Sequence, residues 1–343
     1  MKNYKKACIL YGEKLGFQNQ DQRWAYEELL DQSWSKGENQ FPKSISVHGS
    51  PVVYSWKYGE KDAKQGIRIL AEPGQEKLSA HRQLTESLHL LNKLAAQRNW
   101  SLAKDLNQII SLVYPTKKED IRGWRAAMWL GMDFTEADPG VKIYMNMETM
   151  NWREAWQKTV DVIGLYALPQ MEETMKKIID GTSEGKLAGV GIQSGKYGLE
   201  GIRIYVAFEK MQPQILYHIF QEFFPQAKQK MQMVLEDYQK TFQVNPQTLI
   251  TFDFARKKSG YLTVRPFRVK MEVSCCTLSK EQQKQIPVFF RTQLKKFHIQ
   301  DIKFQNDLKS SAESFEKIFF QYISFGISDN GEHMTIYFEP EIG

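Results

Sequence analysis

Gly201-Ile202-Arg203-Ile204-Tyr205-Val206 is the stretch from which the fold is read. Its side chains alternate, so Ile202, Ile204 and Val206 fall on one face of a strand and Arg203 and Tyr205 on the other. The pattern recurs in Ile67-Arg68-Ile69-Leu70, Val141-Lys142-Ile143-Tyr144-Met145, Phe267-Arg268-Val269-Lys270-Met271 and Met334-Thr335-Ile336-Tyr337-Phe338. One face of each strand is aliphatic or Phe/Met. The opposite face carries Arg or Lys in four of the five, and Tyr in three. A sheet that is greasy outside and basic and aromatic inside inverts an ordinary packed barrel. It implies a closed sheet wrapped by helices, with a polar lumen that holds an anion beside something flat and π-rich.

Each of these strands is the second member of a hairpin. The first members lie at about 50–56, 125–134, 187–193, 249–255 and 319–327, and the second strand of the fourth pair is expected over 261–273. The connections include the polar turns Gly59-Glu60-Lys61-Asp62, Asp138-Pro139-Gly140 and Asp329-Asn330-Gly331. Helical spacing fills the intervals: 4–34, closed by Gly37 and Pro42; 79–114, with Leu84, Leu88, Leu91 and Leu94 on one side and Pro115 at its end; then 151–180, 213–242 and 279–297. The repeat is about 60–75 residues, too long for standard solenoids or propellers. No low-complexity linker interrupts it, so residues 1–343 read as a single domain. Strands that never run fully apolar argue against a doubly wound parallel sheet. The expected fold is α+β: a ten-stranded antiparallel β-barrel of five repeated helix–hairpin units, ringed by helices, with the ligand site in the lumen.

Composition sets the outer bounds. With 42% hydrophobic and 25% charged residues, the chain is that of a folded globular protein. A formal charge of +6, scattered rather than blocked, gives little support to a nucleic-acid partner. Three cysteines, two of them adjacent (Cys275 and Cys276), do not make a disulfide framework, and reduced thiols suit the cytoplasm. The start of the chain lacks the apolar core of a signal peptide, and no stretch approaches a membrane span. The expectation is a soluble, cytoplasmic protein with no membrane partner, monomeric or a homodimer.

Arg68, Lys142, Arg203, Arg268 and Lys270 share the inner wall, and burying such a set unpaired is expensive. A diphosphate is a natural partner, because its oxygens accept charge-assisted bonds from Arg and Lys. Tyr144, Tyr205 and Tyr337 lie on the same faces, and tyrosine rings attract a carbocation while excluding water. Cations that stabilise a departing diphosphate, beside rings that stabilise the allyl cation left behind, are what ionisation-driven prenyl transfer requires.

These residues also carry a resemblance. Gly49 to Trp56 followed by Ile67 to Pro73 resembles the opening hairpin of the dimethylallyltryptophan synthase family of aromatic prenyltransferases, the ABBA or PT-barrel enzymes. Gly131 to Phe134 with Lys142-Ile143-Tyr144 resembles the second hairpin, Gly201 to Tyr205 the third, and Tyr322 to Phe325 with Thr335-Ile336-Tyr337 the last. The resemblance implies a ten-stranded PT barrel. It also implies transfer of a dimethylallyl or longer prenyl group from its diphosphate to an aromatic small molecule, indole-type or phenolic, in secondary metabolism such as that of indole alkaloids. By it Arg68, Lys142 and Arg203 grip the diphosphate, and Tyr144, Tyr205 and Tyr337 shield the cation. Val53, Trp129 and His333 are expected at the acceptor.

Departures from the family pattern matter as much. Arg268 and Lys270 stand where Gln and Tyr are common, and His333 where a Tyr is common. Val53 replaces the Glu that holds the indole N–H in indole-prenylating members, so another acid has to serve or the acceptor has no N–H to recognise. Asp133, Asp253 and Glu272 have inward parity and are candidates, although each is also a natural ion-pair partner for the lumen cations. The alternative activity is O- or N-prenylation of a phenol, an amino acid or a peptide side chain. The paired Asp-rich motifs that hold magnesium in isoprenyl synthases are absent, and the basic wall can neutralise the diphosphate instead. No cofactor is expected to be required, and magnesium is at most helpful. Gly189 and Gly191 lie in a strand rather than before a helix, which fits room for a ring in the lumen better than a dinucleotide site.

Overall fold

A computed structural model of the chain describes residues 4–17, 19–33, 50–59, 68–74, 79–100, 103–115, 127–134 and 140–340. Gly37, Pro42, the turn at 60–62, Ile67, Arg125, Asp138 and Pro139 lie outside the described residues.

Five units follow one another, each a pair of helices and then a hairpin. They are α1 (Tyr4–Leu15), α2 (Gln20–Ser33), β1 (Val52–Gly59) and β2 (Arg68–Ala71); α3 (Ala80–Arg98), α4 (Ala103–Val113), β3 (Met128–Asp133) and β4 (Val141–Asn146); and α5 (Trp152–Gly164), α6 (Met171–Gly181), β5 (Lys186–Gly195) and β6 (Gly198–Phe208). Then come α7 (Pro213–Phe223), α8 (Lys228–Phe242), β7 (Thr248–Ala255) and β8 (Arg268–Ser274), and last α9 (Lys280–Lys296), α10 (Ile302–Ser314), β9 (Ile318–Ser328) and β10 (Gly331–Pro340). Every strand pairs antiparallel with its sequence neighbours, and β1 closes on β10, so the sheet has no edge.

The alternation read from the sequence decides which way each strand faces. Ile143, Ile204, Met271 and Ile336 point outward and are fully buried. The core is therefore the layer between barrel and helices rather than the barrel interior. Truncating Ile204 to Ala in such a layer costs about 2–5 kcal/mol. Some polar tips within the layer pair with one another: the Trp56 indole donates to the Tyr11 hydroxyl at 2.8 Å, and the Tyr26 and Tyr54 hydroxyls lie 2.8 Å apart. Caps explain where several helices begin. Ser79 accepts from the Arg82 N–H, Asn151 from Glu154, and Ser279 forms a reciprocal capping box with Gln282.

Three expectations are corrected. The segment 261–267 is not strand: Pro266 has no N–H for a ladder, and the chain makes only a bridge between Arg256 and Leu262 before β8 starts at Arg268. The long helices of the first, second and fourth units are each two, interrupted after Gly16 (φ 78°), after the left-handed Asn99 (φ 54°) and by a short 3₁₀ turn at Pro225–Ala227. The fifth unit also has a second helix, α10. Its apolar signal is thin, since only Phe304 and Ser311 are buried on it. Each interruption divides one helical stretch into two shorter helices that precede a hairpin.

Candidate active site

Strand parity and register carry all eleven expected site residues to the lumen wall or its margin. At one end Arg68 faces Asp133 directly across β2 and β3, and its guanidinium bonds that carboxylate. Lys142 on β4 approaches the same Asp133, at 4.0 Å. A second such group spans β6, β7 and β8, where Arg203, Asp253 and Arg268 lie side by side in register. Asp253 is 3% exposed and takes Arg203 on both of its oxygens, with Arg268 Nε at 2.6 Å from Oδ2. Each carboxylate thus holds two cations in place. Burial alone would raise the Asp253 carboxyl, but Arg203 and Arg268 outweigh it and hold it far below the usual carboxylate range.

Lys142 behaves differently. Burial pushes its ammonium down to about 7; Asp133 opposes the shift, and Arg203, Arg68 and Arg268 add to it. A lysine poised near neutrality among permanent cations regains its charge when an anion arrives. Lys270 is also lowered by burial, against the pull of Glu272, to which it donates at 2.8 Å.

The aromatic groups sit beside these cations. Arg203 donates to the Tyr205 hydroxyl at 3.0 Å, and the Tyr144 and Tyr205 rings are 5.7 Å apart and tilted by 55°. Room for them comes from glycines on the facing strands. A Cβ at Gly191 would stand 3.1 Å from the Tyr205 ring, and one at Gly131 would stand 3.1 Å from the Tyr144 ring. Tyr337 donates to Glu272 at 3.3 Å and meets Tyr322 edge-on at 6.4 Å. Burial raises Tyr144, Tyr205 and Tyr337 above the ordinary phenol value, so all three stay neutral with their π-faces intact.

Two cavities run through this interior. One, about 230 Å³, is bordered by Lys142, Gln193, Arg203, Asp253 and Arg268. The other, about 300 Å³, is bordered by Val53, Leu70, Trp129, Leu249, Glu272 and Tyr337. Tyr144, Arg203 and Tyr205 border both, so the tyrosine pair and one guanidinium form the boundary between a basic end and an apolar-aromatic end. β-bulges at Ala188 and Gln321, where the register slips, turn both residues toward the second cavity.

Val53 and Trp129 accordingly stand together at the apolar end. His333 does not join them. It packs against Gly326 and the Lys270 chain, where a Cβ on Gly326 would meet its ring. Burial, then Arg268, Lys57 and Lys270, hold its imidazole well below the usual range, so it is neutral. The sequence reading missed Lys57 and Gln193. Lys57 was legible, since it shares the inward parity of Val53 and Ser55 on β1. Among the described residues no group of three or more His, Cys, Asp or Glu side chains converges as a metal site would require. No described helix is long and apolar enough to cross a membrane.

The closed ten-stranded barrel with a charged, aromatic lumen is a PT barrel, and comparison with known proteins agrees. A 5-dimethylallyltryptophan synthase from Streptomyces coelicolor superposes with a TM-score of 0.77 at 13% identity, covering 99% of this chain and 97% of that one. A 6-dimethylallyltryptophan synthase from Micromonospora olivasterospora gives 0.75 at 12% identity, covering 99% and 96%. AnaPT from Neosartorya fischeri gives 0.65 at 13% identity, covering 97% of each. At such identities the superpositions establish the fold. No curated protein matches by sequence. The sequence model of the family described as tryptophan dimethylallyltransferase matches residues 15–178, which include the first two hairpins with Arg68, Lys142 and Tyr144. Over residues 15–178 the chain is similar to the tryptophan dimethylallyltransferase family, and its barrel has the fold of the PT-barrel or ABBA enzymes.

Proposed function

We propose that the protein transfers a dimethylallyl group from dimethylallyl diphosphate to an aromatic small molecule, indole-type or phenolic. The observation that carries this reading is the adjacency of the two cavities, with Tyr144, Arg203 and Tyr205 at their boundary. In this reading Arg68, Lys142, Arg203 and Arg268 hold the diphosphate, with Lys270 at the margin. These five cations outnumber the three carboxylates they bond to, Asp133, Asp253 and Glu272. The C–O bond of the donor breaks with its electron pair on the diphosphate, whose charge the cations neutralise. Tyr144, Tyr205 and Tyr337 shield the allylic cation from water, and the acceptor, held near Val53 and Trp129, attacks it. The fixed cations supply what magnesium supplies in other diphosphate chemistry, so no metal is needed.

Structures of relatives support the substrate classes: that of PriB was solved as a ternary complex with L-tryptophan and a dimethylallyl thiolodiphosphate. The absence of a carboxylate at Val53 points the acceptor here away from free tryptophan bound in the family's usual manner. It leaves indoles without that contact, phenols, and O- or N-prenylation of a phenol, amino acid or peptide side chain.

The test is purified protein incubated with dimethylallyl diphosphate and a panel of indoles, phenols and aromatic peptides, read by mass. A mass gain of one dimethylallyl group on any panel member is the expected result. Lys142→Ala and Arg203→Ala should each reduce turnover strongly with the fold intact. Near-full activity in both variants would defeat the diphosphate assignment.

A further inference from the structure

Prenyl transfer to an arene ends in proton loss, and three inward carboxylates are available to receive the proton. Asp253 is committed to Arg203 and Arg268 through both oxygens, and these two guanidiniums hold its carboxyl far below the usual range, which makes it a poor base. Asp133 is held by Arg68 and Lys142 and borders neither cavity. Glu272 is placed differently. It sits on the central run of β8, 7% exposed, and borders the cavity that also contains Val53 and Trp129. Both of its hydrogen bonds, from Lys270 at 2.8 Å and from the Tyr337 hydroxyl at 3.3 Å, go to Oε1. Oε2 accepts no hydrogen bond among the described residues.

One oxygen is thus anchored and the other remains for a ligand. Lys270 and Tyr337 together fix the carboxylate plane beside a ring of the cation shield. The remaining carboxylate at this cavity, Glu148, is exposed on the turn that follows β4, where bulk water competes for its protons.

We infer that Glu272 is the catalytic base of the transfer and the group that recognises a ring N–H or O–H of the acceptor. The inference rests on the prenyl-transfer reading above. As the allyl carbon bonds to the attacked ring atom, the donor's C–O bond having already released its electron pair to the diphosphate, the proton on that ring atom passes to Oε2. The electrons of its bond return to the ring and restore aromaticity. Diphosphate and the prenylated arene leave, and Glu272 surrenders the proton to solvent before the next cycle. The acid missing at Val53 is in this way supplied from β8, across the lumen from the strand where the family places it.

The experiment compares wild type with Glu272→Gln, using dimethylallyl diphosphate and whichever of indole, tryptamine, L-tryptophan and 1-naphthol the wild type prenylates fastest. Diphosphate release and arene prenylation are measured separately. The variant should lose about 10²–10⁴-fold in prenylation, the usual weight of a general base. Diphosphate release, as dimethylallyl alcohol forms by water capture, should persist. Ring deuteration of a carbon-attacked acceptor should then produce a primary isotope effect larger than that of wild type, because proton removal becomes the slow step. Prenylation at the wild-type rate overturns the assignment. Parallel loss of release and prenylation also overturns it, since a base acting on the acceptor leaves ionisation intact. Glu272→Asp, which keeps the charge facing Lys270, is read by the same criteria if the glutamine variant does not fold. A wild type that releases no diphosphate and prenylates nothing defeats the transferase reading itself, and the role of Glu272 with it.

Discussion

Arg203 and Asp253 face one another in register across β6 and β7, and both carboxylate oxygens of Asp253 engage that one guanidinium while Oδ2 also receives Arg268. The carboxylate acts as a stand-in for an anion: it keeps two guanidiniums aligned on the lumen wall before any diphosphate arrives. Removing it leaves two buried cations without their counter-charge, which costs about 3–5 kcal/mol. Asp253→Asn should therefore melt well below wild type, and inorganic diphosphate should recover more stability in the variant than in wild type. Thermal unfolding with and without diphosphate checks this; equal shifts in both proteins would count against it.

Lys142 yields a proton-linkage prediction. Its folded-state value, near 7, lies below that of an unfolded lysine, so between about pH 7 and 10 the folded protein binds fewer protons at this site than the unfolded chain. Its burial penalty is therefore full below pH 7 and is relieved as pH rises through that window. Donor binding reverses the shift, so at pH 8 the complex should take up a proton. Calorimetry of diphosphate binding in buffers of different ionisation enthalpy measures the uptake. Lys142→Arg, permanently charged, should abolish it, and identical uptake in that variant would exclude Lys142 as its source.

Val53 borders the cavity proposed above to hold the acceptor and is 3% exposed. Val53→Glu introduces a hydrogen-bond acceptor there and should shift preference toward indoles over phenols. Competition assays with one indole and one phenol give the ratio directly, and an unchanged ratio would remove position 53 from acceptor recognition.

Gly191 leaves space that the Tyr144 and Tyr205 rings fill, with an added Cβ standing 3.1 Å from one and 3.5 Å from the other. Gly191→Val has to displace both rings. It should raise the share of donor lost to dimethylallyl alcohol relative to prenylated product, at unchanged circular dichroism. Product partition as in wild type would show that the pair does not exclude water.

Chelation provides the last test. In the proposed mechanism the wall's own cations neutralise the diphosphate, so activity should survive exhaustive treatment with a metal chelator. Complete loss, restored by magnesium, would show that the wall alone does not suffice.

Much of this was legible in the sequence because one physical rule, period-two alternation, governs both fold and site. Residues two apart on a strand share a face, so Lys142 and Tyr144, or Arg203 and Tyr205, come to the lumen together once closure is assumed. What was not legible depended on distances between strands. The pairing of Asp253 with two arginines, and the placing of His333 with Lys270 rather than with Val53, follow from stagger between β7, β8, β9 and β10, which no single strand encodes. The same holds for Glu272, whose parity was evident but whose asymmetric anchoring was not. The second helix of the fifth unit escaped because its buried face is only Phe304 and Ser311.

Closure of β1 onto β10 has a consequence for how such a protein diversifies. A hoop of ten staves, each bonded on both sides, has no seam along which to widen, so the bore is fixed by stave number and slant. New acceptor preferences must then be acquired by exchanging inward rungs near one mouth while those near the other continue to grip the same leaving group. Ancestral enzymes of this design would be expected to keep their donor and change their acceptor.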